Sequence, residues 1–386
     1  MDAHVREMQP HEKKTLRQVM RRCFGWFASL FFDLGSVAYV YELDGRIVGG
    51  TTISKFRIDD ERSGGVVKWI FTLPEARGRG AASALLDSAM EWFEAQQCDA
   101  VFACIEGYNT ASSNRFSSRG FSIMSLREQL SRYGLRTAIV WVQSVYFVTI
   151  GHFLWARVSG AASSEPAAPA RSEATETGGS ADCEAIPAHS ALADQLLTFG
   201  ATSLLHAVFA YLLVLRTGGS LTAEVVVTFL VLIPALFGIR LFAMKLAASM
   251  KGLAIEYRPW DSGMLLSLVV HVLFGGIMPA PGTLYPKDQV YRYRDEIPRL
   301  GVMAFAGVAE LLGTGWILLL LTRSGVLTFS DALPLQVALT YIRVFLIFDV
   351  LIPVFPFECF NGKRILDWNR LLWLGCAAAT VGLWLV

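Results

Sequence analysis

One stretch decides the fold of the first third of this chain: Leu73-Pro74-Glu75-Ala76-Arg77-Gly78-Arg79-Gly80-Ala81-Ala82. It follows an apolar run from Val66 to Phe71 that predicts a strand, and it leads into residues 83–90, which predict a helix. A strand, a glycine-rich turn and a helix in this order present free backbone N–H groups and a positive helix end to an anion, typically a phosphate. The two glycines let the backbone approach such a ligand closely, and the two arginines add positive charge. The stretch therefore predicts a phosphate-binding loop.

The composition indicates a membrane protein that carries a soluble head. Of the 386 residues, 53% are hydrophobic and 17% are charged, the mean hydropathy is +0.44, and the apolar excess lies after about residue 190. The formal net charge of +1 gives no reason to expect a nucleic-acid partner. The six cysteines are scattered without a Cys-x-x-Cys pair, so neither a disulfide framework nor a zinc ribbon is expected.

Turn and cap residues predict the elements around the loop. Asp44-Gly45 separates two strand-like runs and is a strong signal for a two-residue hairpin. Residues 99–105 predict a buried strand, and a short helix then begins after Asn109, which stands at the cap position. Gly120 is the expected stop signal at the end of that helix.

This order of elements, together with two motifs, resembles the Gcn5-related N-acetyltransferase (GNAT) superfamily. The order is strand–helix–hairpin–strand–loop–helix–strand–helix. The motifs are Arg77-x-x-Gly80-x-Ala82 in the loop and Asn109-x-x-Ser112-x-x-x-Phe116…Gly120-Phe121 after the next strand. The resemblance covers roughly residues 3–157 and implies a GNAT acetyltransferase domain at 1–157. Its fold would be the α+β fold of that superfamily, a mixed, mostly antiparallel sheet with flanking helices.

The resemblance also implies that acetyl-CoA is the cosubstrate. In the superfamily the strand that leads to the loop splays away from the next strand, and the pantetheine arm binds in the gap. Here those strands would be 68–73 and 99–106. The residues that the resemblance assigns to acetyl-CoA binding are Phe71, Thr72, Leu73, Arg77, Gly78, Arg79, Gly80, Ala81, Ala82, Asn109 and Ser112. The acceptor is predicted to be a small amine or a protein amine.

Acetyl transfer needs a base that takes the amine proton and an acid that reprotonates the CoA thiolate. Glu106, at the end of the predicted fifth strand, is the candidate base. The superfamily often places a tyrosine acid where this chain has Ser117, which is a poor acid. Tyr108 is near enough in sequence to take that role, so Glu106 and Tyr108 are the predicted catalytic residues.

Residues 135–155 are long and apolar enough to span a bilayer, but a second interpretation is open. They also fit an interfacial helix followed by a last strand of the first domain at 151–157. Loop charges favour the second interpretation, because nearly all later basic loops would lie outside if 135–155 crossed. The next residues, 158–193, are rich in Ala, Ser, Pro, Glu and Gly and predict a disordered, flexible linker.

The last part, residues 194–386, predicts an all-α polytopic membrane domain. The apolar spans are 194–215, 222–250, 300–322, 333–355 and 371–386. A weaker piece at 264–281 is interrupted by glycines and prolines, which suggests a re-entrant hairpin. If the head is cytoplasmic, the basic loop residues fall almost entirely on the inside, as the positive-inside rule requires. We therefore predict an integral, multi-pass membrane protein with a cytoplasmic N-terminal domain.

Landmarks in this part resemble the site-2 protease family of membrane zinc metalloproteases. They are Ala280-Pro281-Gly282, Ala306-Gly307 and the segment 356–369, which contains Asn361-Gly362. Such proteases hold zinc with His-Glu-x-x-His on a helix. The matching window here is Arg240-Leu241-Phe242-Ala243-Met244, and Asn361 stands at the third ligand position. The zinc-binding motif is degenerate, so we expect a proteolytically inactive domain without a metal.

Polar residues within the predicted membrane domain leave three interpretations open. The charged ones could pair with one another inside the helix bundle, they could line a pocket for a substrate or a lipid headgroup, or the set could rebuild a metal site. The residues concerned are His206, Arg240, His271, Glu310, Arg343, Asp349 and Cys359.

Three functions are compatible with these patterns. The first is a membrane-tethered, acyl-CoA-dependent N-acetyltransferase whose inactive membrane domain is an anchor or docking platform. The second is a non-catalytic membrane adaptor that senses acyl-CoA and binds transmembrane helices, and the third is a protease with a rearranged site. The two GNAT motifs favour the first. The predicted partners are acetyl-CoA, an amine acceptor, the lipid bilayer and transmembrane helices of other proteins.

Overall fold

A computed structural model of the chain describes residues 3–158, 192–216, 222–276, 278–288, 290–325, 333–354 and 357–386. Contacts divide the chain into two compact units, Met1–Pro166 and Ala167–Val386. The predicted linker, 158–193, lies almost entirely outside the described residues, and its disorder stays a prediction.

The described part of the first unit contains both strands and helices. The strands are β1 (Ala3–Glu7), β2 (Val37–Leu43), β3 (Arg46–Arg57), β4 (Ser63–Thr72), β5 (Ala100–Glu106), β6 (Ser122–Ile123) and β7 (His152–Val158). The helices are α1 (Lys13–Ala28), α2 (Ala81–Ala95), α3 (Thr110–Ser117), α4 (Leu126–Tyr133) and α5 (Thr137–Gln143). The strands form one sheet in the order β1-β2-β3-β4-β5-β7-β6, antiparallel except for the parallel pair β4–β5. This is the mixed, mostly antiparallel sheet that the sequence predicts.

Local turn chemistry explains several of these boundaries. Asp44 and Gly45 have φ angles of 48° and 74°, the left-handed pair that a tight β2–β3 hairpin requires. Asn109 begins α3, because its side chain accepts a hydrogen bond from the Ser112 N–H at 3.2 Å. Gly120 has a φ of 79° just after α3 ends. The hairpin, the cap and the stop signal are therefore confirmed.

Two apolar clusters fill the first unit. One joins α1 and the start of α2 to the sheet, and its fully buried members include Leu16, Met20 and Leu85. The other packs α4 and α5 against β5, around Phe102 and Val140. Burying each large apolar side chain stabilises the fold by about 1.5–3 kcal/mol. These clusters hold the sheet in place around the ends of β4 and β5.

A β-bulge in β4 opens the sheet at that place. β3 pairs Thr52 with Trp69 and Ile53 with Val67, so Lys68 is an extra residue in β4. The parallel ladder to β5 runs from Gly64 to Val67 and ends there. Because a bulge bends its strand, β4 and β5 diverge beyond Val67. The predicted gap between these strands is present.

The segment 135–155 does not form a transmembrane helix. Its longest helix, α5, has seven residues, about 10 Å at 1.5 Å per residue, against a bilayer core of roughly 30 Å. The segment then enters β7, which pairs along β5 inside the sheet. The interpretation as a spanning helix is therefore wrong, and the predicted last strand is confirmed.

The second unit is mainly helical. Its helices are α6 (Leu192–Arg216), α7 (Ala223–Met250), α8 (Asp261–Phe274), α9 (Tyr293–Arg323), α10 (Leu333–Leu346), α11 (Asn361–Trp368) and α12 (Arg370–Leu385). A π-helical turn, Ile347–Leu351, follows α10. Two short strands, β8 (Ile255–Arg258) and β9 (Thr283–Pro286), form an antiparallel pair.

The β8–β9 pair corrects the all-α prediction for this unit. Gly282, with a φ of 93°, lies so close to β8 that an added Cβ would be 2.4 Å from the Arg258 carbonyl oxygen. Only glycine allows this approach, which places Thr283 opposite Arg258. The sequence predicts a re-entrant hairpin that includes this proline-glycine turn, and in the structure the turn leads directly into β9.

Two helices of the described residues are long and apolar enough to cross a membrane, Phe229–Met250 and Tyr293–Arg323. Shorter apolar helices occur at Gln195–Phe209, Asp261–Phe274 and Arg370–Leu385. α8 ends where Gly275 adopts a φ of 67°, in agreement with the predicted interruption. Five crossings and a re-entrant hairpin stay predictions.

Candidate active site

The predicted phosphate-binding loop has an open outer face. Gly78 and Gly80 have φ angles of 80° and 79°, and Gly80 is the residue from which α2 begins. A Cβ atom added to either glycine would meet no atom within 4 Å. The glycines are therefore required by the backbone conformation, and the space in front of the loop is free for a ligand. Arg77 and Arg79 are exposed beside them.

The loop is fixed from its inner side. Leu73, Ala76 and Ala81 are buried in the core. The Arg77 Nε donates to the Thr72 carbonyl oxygen at 3.3 Å, and the Tyr41 hydroxyl lies 3.5 Å from the Arg79 carbonyl oxygen. The first N–H groups of a helix have no partner within that helix. The predicted residues Ala81 and Ala82, in the first turn of α2, therefore lie where an anion would bind.

The predicted cofactor residues Phe71, Thr72 and Leu73 lie at the end of β4 or just after it, and most of their side chains pack inside the fold. The Phe71 ring packs edge-on against Phe24 and Phe32, with centroids 6.4 and 5.9 Å apart, and Leu73 is buried. Thr72 differs, because its buried Oγ1 has no hydrogen-bond partner among the described residues. A buried hydroxyl without a partner costs free energy unless a ligand or water binds it. This orphaned atom lies beside Gly49 of β3 and leaves a polar group at the end of β4 for a ligand or water.

The second motif is mainly structural in this chain. Asn109 caps α3 through the Ser112 N–H, so both predicted cofactor residues already share a hydrogen bond. Arg119, at the end of α3, donates to both carboxylate oxygens of Asp87 at 2.6 and 2.9 Å and to the Ser83 carbonyl oxygen at 3.2 Å. This clamp ties α3 to the helix behind the loop. Contact of Asn109 and Ser112 with a cofactor stays a prediction.

The two predicted catalytic residues share one turn. Glu106, half-buried at the end of β5, accepts the Tyr108 N–H through Oε2 at 2.9 Å. The Tyr108 side chain is only 7% exposed. Ser117 lies at the end of α3, where its carbonyl oxygen accepts the Gly120 N–H. Glu106 is at the widening end of the gap, while the roles of Glu106 and Tyr108 stay predictions.

His152 is a site residue that sequence reasoning missed. The β5–β7 register pairs it with Glu106, and directly opposed residues share a face of the sheet with Cβ atoms about 4.5–5.5 Å apart. Its Nδ1 lies 3.2 Å from the Ile150 carbonyl oxygen, so Nδ1 donates and Nε2 is left as a proton acceptor. Burial lowers the pKa of His152 to about 4, so the imidazole is neutral at pH 7. Only the strand register could have revealed this pairing.

In the second unit the structure tests the predicted ion pairs. Arg240 and Asp349 form a buried salt bridge at 2.9 Å, as expected. Glu310 instead accepts a hydrogen bond from the Thr314 hydroxyl at 2.9 Å, and Arg343 forms no ion pair with any described residue. His206 holds the Ala280 N–H at 3.1 Å, which positions the turn before β9.

The positions that resemble a zinc site meet in space but do not fit a metal. Asn361 Nδ2 lies 3.8 Å from Met244 Sδ and 3.1 Å from Asp349 Oδ2, and Asp349 binds Arg240. Within the described ranges, no group of three or more His, Cys, Asp or Glu side chains could hold a metal ion. An arginine cation at this place repels a second cation. No chemistry of this unit is derived through zinc.

Known proteins resemble the two parts of the chain separately. Residues 3–121 match the model of the acetyltransferase (GNAT) family. Over 136 residues of its C-terminal part, the chain is 29% identical to the curated "Putative zinc metalloprotease MJ0611" of Methanocaldococcus jannaschii. That match covers 34% of this chain and 62% of the relative, so the chain spans less than two thirds of that protein's length.

Among solved structures, similarity is found to N-acetyltransferases. Naa50 of Arabidopsis thaliana, in complex with a bisubstrate analogue, is 10% identical over 41% of this chain and 99% of its own, with a TM-score of 0.30. The ribosomal-protein-S18-alanine N-acetyltransferase of Escherichia coli is 15% identical over 32% of this chain and 80% of its own, with a TM-score of 0.28.

The family match and the strand order carry the assignment. The match spans the loop, β5 and α3, and the sheet contains the splayed β4–β5 pair beside the loop. The N-terminal part of this chain is a GNAT acetyltransferase domain, fused to a C-terminal part that is homologous to the archaeal protein.

Proposed function

We propose that the first unit transfers the acetyl group of acetyl-CoA to an amine. The observation that carries this proposal is the open glycine loop at the start of α2, beside the gap between β4 and β5. The pyrophosphate of the cosubstrate would bind the N–H groups of residues 78–82, and Arg77 and Arg79 would add charge attraction. The pantetheine arm would follow β4 into the gap and meet the Thr72 hydroxyl.

The proposed reaction is direct attack of the amine on the thioester. The amine nitrogen forms a bond to the acetyl carbonyl carbon, the C–S bond breaks, and CoA leaves as a thiolate that is then protonated. Glu106 takes the amine proton, with the neutral His152 opposite it as a second acceptor. Tyr108 is the proposed acid for the thiolate. A general base contributes typically 10²–10⁴-fold to the rate.

We place this reaction at a membrane surface. The second unit contains two helices that could cross a bilayer. On the first unit, the segment from α4 to α5 exposes Leu135 (94%) and Val142 (59%), and Arg127 and Arg132 are exposed on α4. Apolar side chains beside basic ones are typical of helices that lie on anionic membranes. The proposed protein is membrane-tethered with a cytoplasmic head, so its amine acceptor lies close to the bilayer.

Release of CoA tests the proposal. The full chain in detergent micelles is incubated with acetyl-CoA and either spermidine or a short peptide with a free N-terminus, and CoA is measured by chromatography. We expect Glu106→Gln to lower kcat about 10²–10⁴-fold because the proton acceptor is lost. Glu128→Gln on α4, outside the gap, is the matched control and should match the wild type. Equal turnover of wild type and Glu106→Gln would contradict the proposed role of Glu106.

A second candidate is the non-catalytic adaptor that senses acyl-CoA. The 7% exposure of Tyr108 and the serine at position 117 favour it, because neither side chain is well placed as an acid. The same experiment separates the two functions. Binding of acetyl-CoA in calorimetry, with no release of free CoA in the presence of either probe amine, supports the adaptor, and amine-dependent release of CoA excludes it.

A further inference from the structure

A buried cation lies at the centre of the second unit. The Arg240 side chain on α7 is 1% exposed, and the Asp349 side chain in the π turn is fully buried. Arg240 Nη2 lies 2.9 Å from Asp349 Oδ1 and 3.2 Å from Oδ2, and its Nε lies 3.3 Å from Oδ2. The Phe345 ring covers the guanidinium, with 4.8 Å between Cζ and the ring centroid. Such a two-pronged pair is the strongest ordinary arrangement of an arginine and a carboxylate.

The same carboxylate binds a third element. At the start of α11, the Asn361 backbone N–H donates to Asp349 Oδ1 at 3.2 Å and its side-chain amide donates to Oδ2 at 3.1 Å. That amide also lies 3.8 Å from the sulfur of Met244, one turn after Arg240 on α7. Asn361 Oδ1 in turn accepts a hydrogen bond from Arg364 at 2.7 Å. α7, the π turn and α11 are thus joined around the Arg240–Asp349 pair, and Arg364 is a second buried cation that holds Asn361.

Two glycines leave the room that these contacts need. A Cβ added to Gly307 on α9 would be 2.6 Å from Met244 Cγ and 3.4 Å from Arg240 Cγ. A Cβ added to Gly362 would be 2.6 Å from the Val350 carbonyl oxygen. The cluster is therefore packed on several sides.

We propose that the Arg240 guanidinium replaces a metal cation in this site. Positions 240 and 244 are four residues apart on one helix face, which is the spacing of two imidazole ligands on a metal. Asn361 and Asp349 face them from the other elements, where carboxylates would complete a set of four donors. Arg240 supplies the positive charge that Asp349 needs, and this charge is part of the chain itself. Unlike a metal ion, a guanidinium has no coordination position at which water could bind. The site therefore holds the three elements together but cannot bind and activate a water molecule.

The proposal predicts that a metal site can be rebuilt by three substitutions. The full-length Arg240→His/Met244→His/Asn361→Asp variant, purified in detergent, should bind one zinc ion per chain and give the visible absorption of four-coordinate cobalt when cobalt is substituted. The wild type should contain no stoichiometric zinc after incubation with zinc and buffer exchange. The matched control is Phe242→His/Leu246→His, the same spacing on the exposed face of α7, which should bind no tightly held zinc.

Two results would overturn the proposal. One is a wild-type chain that holds one zinc ion per chain and loses thermal stability when a chelator removes it. The other is a folded triple variant that binds neither zinc nor cobalt more tightly than the control.

A second pair of variants decides the matter if the triple variant fails to fold. Arg240→Met leaves the Asp349 carboxylate buried without its cation, so its melting temperature should fall well below that of the wild type. Adding Asp349→Asn removes that charge and should restore part of the loss. An Arg240→Met variant as stable as the wild type would contradict the role of Arg240 as the substituting cation.

Discussion

At the scale of single residues, Gly80 was predicted from the sequence and His152 was missed. The position of Gly80 in a turn before a helix could be predicted, because it depends on the adjacent loop sequence and on a backbone angle that favours glycine. The cap at Asn109 is local in the same way. His152 could not be predicted, because its place opposite Glu106 depends on the register of two strands 46 positions apart.

The burial of His152 predicts a pH dependence of stability. Its pKa is lowered from 6.5 to about 4, because burial disfavours the charged imidazolium. As the pH falls below about 6.5, the unfolded chain takes up a proton that the folded chain does not, so stability falls until about pH 4 and then levels. The melting temperature of the full chain, measured across this range, should fall less steeply in His152→Gln.

The control for this effect is His11→Gln, which removes an exposed histidine. Its pH profile should follow that of the wild type. A His152→Gln profile identical to the wild-type profile would show that His152 is not the group responsible.

At the scale of elements, alternation and turn signals predicted strands and helices well where contacts are local. They missed features that arise from pairing. The bulge at Lys68 arises because β4 has one more residue than β3 at this point of their pairing. The bulge bends β4 away from β5 and opens the gap. The β8–β9 pair was missed for a similar reason, because each strand has only four residues and is buried against the other.

Close helix packing makes a prediction for α9. In Gly307→Ala the new methyl group would lie 2.6 Å from Met244 Cγ, so the buried Met244 side chain or the helices themselves must shift. We expect a loss of about 1–3 kcal/mol in the free energy of unfolding, as is typical of overpacked cores. Gly313→Ala is the control on the same helix, because its Cβ would meet nothing within 4 Å. It should be neutral or stabilise by up to about 1 kcal/mol.

Thermal or denaturant unfolding in detergent measures both variants. If Gly307→Ala is as stable as Gly313→Ala, the Met244 side chain does not pack tightly against α9 at this point. The contacts of Gly307 with Met244 and Arg240 would then be looser than those in the structure.

At the scale of the whole molecule, two units of different character share one chain. The first has the features on which the proposed acetyl-CoA site rests: an open glycine loop, a helix start and a splayed strand pair. The second resembles a zinc protein in outline, yet an arginine occupies its centre. Composition predicts a polar head and an apolar second part from about residue 190, while the contacts of the chain divide it at Pro166–Ala167. The proposed division of labour is that the first unit carries out the chemistry and the second holds it at the bilayer.

Binding of acetyl-CoA to the full-length protein, measured by calorimetry, tests this account most directly. The wild type should bind one acetyl-CoA, and Gly80→Glu should abolish binding because it places a carboxylate and a strained backbone at the pyrophosphate position. Gly45→Glu imposes a similar strain, at a φ of 74° and with open space around the Cβ, in a hairpin away from the loop, and it should bind like the wild type. No binding by the wild type, or equal binding by Gly80→Glu, would contradict the account.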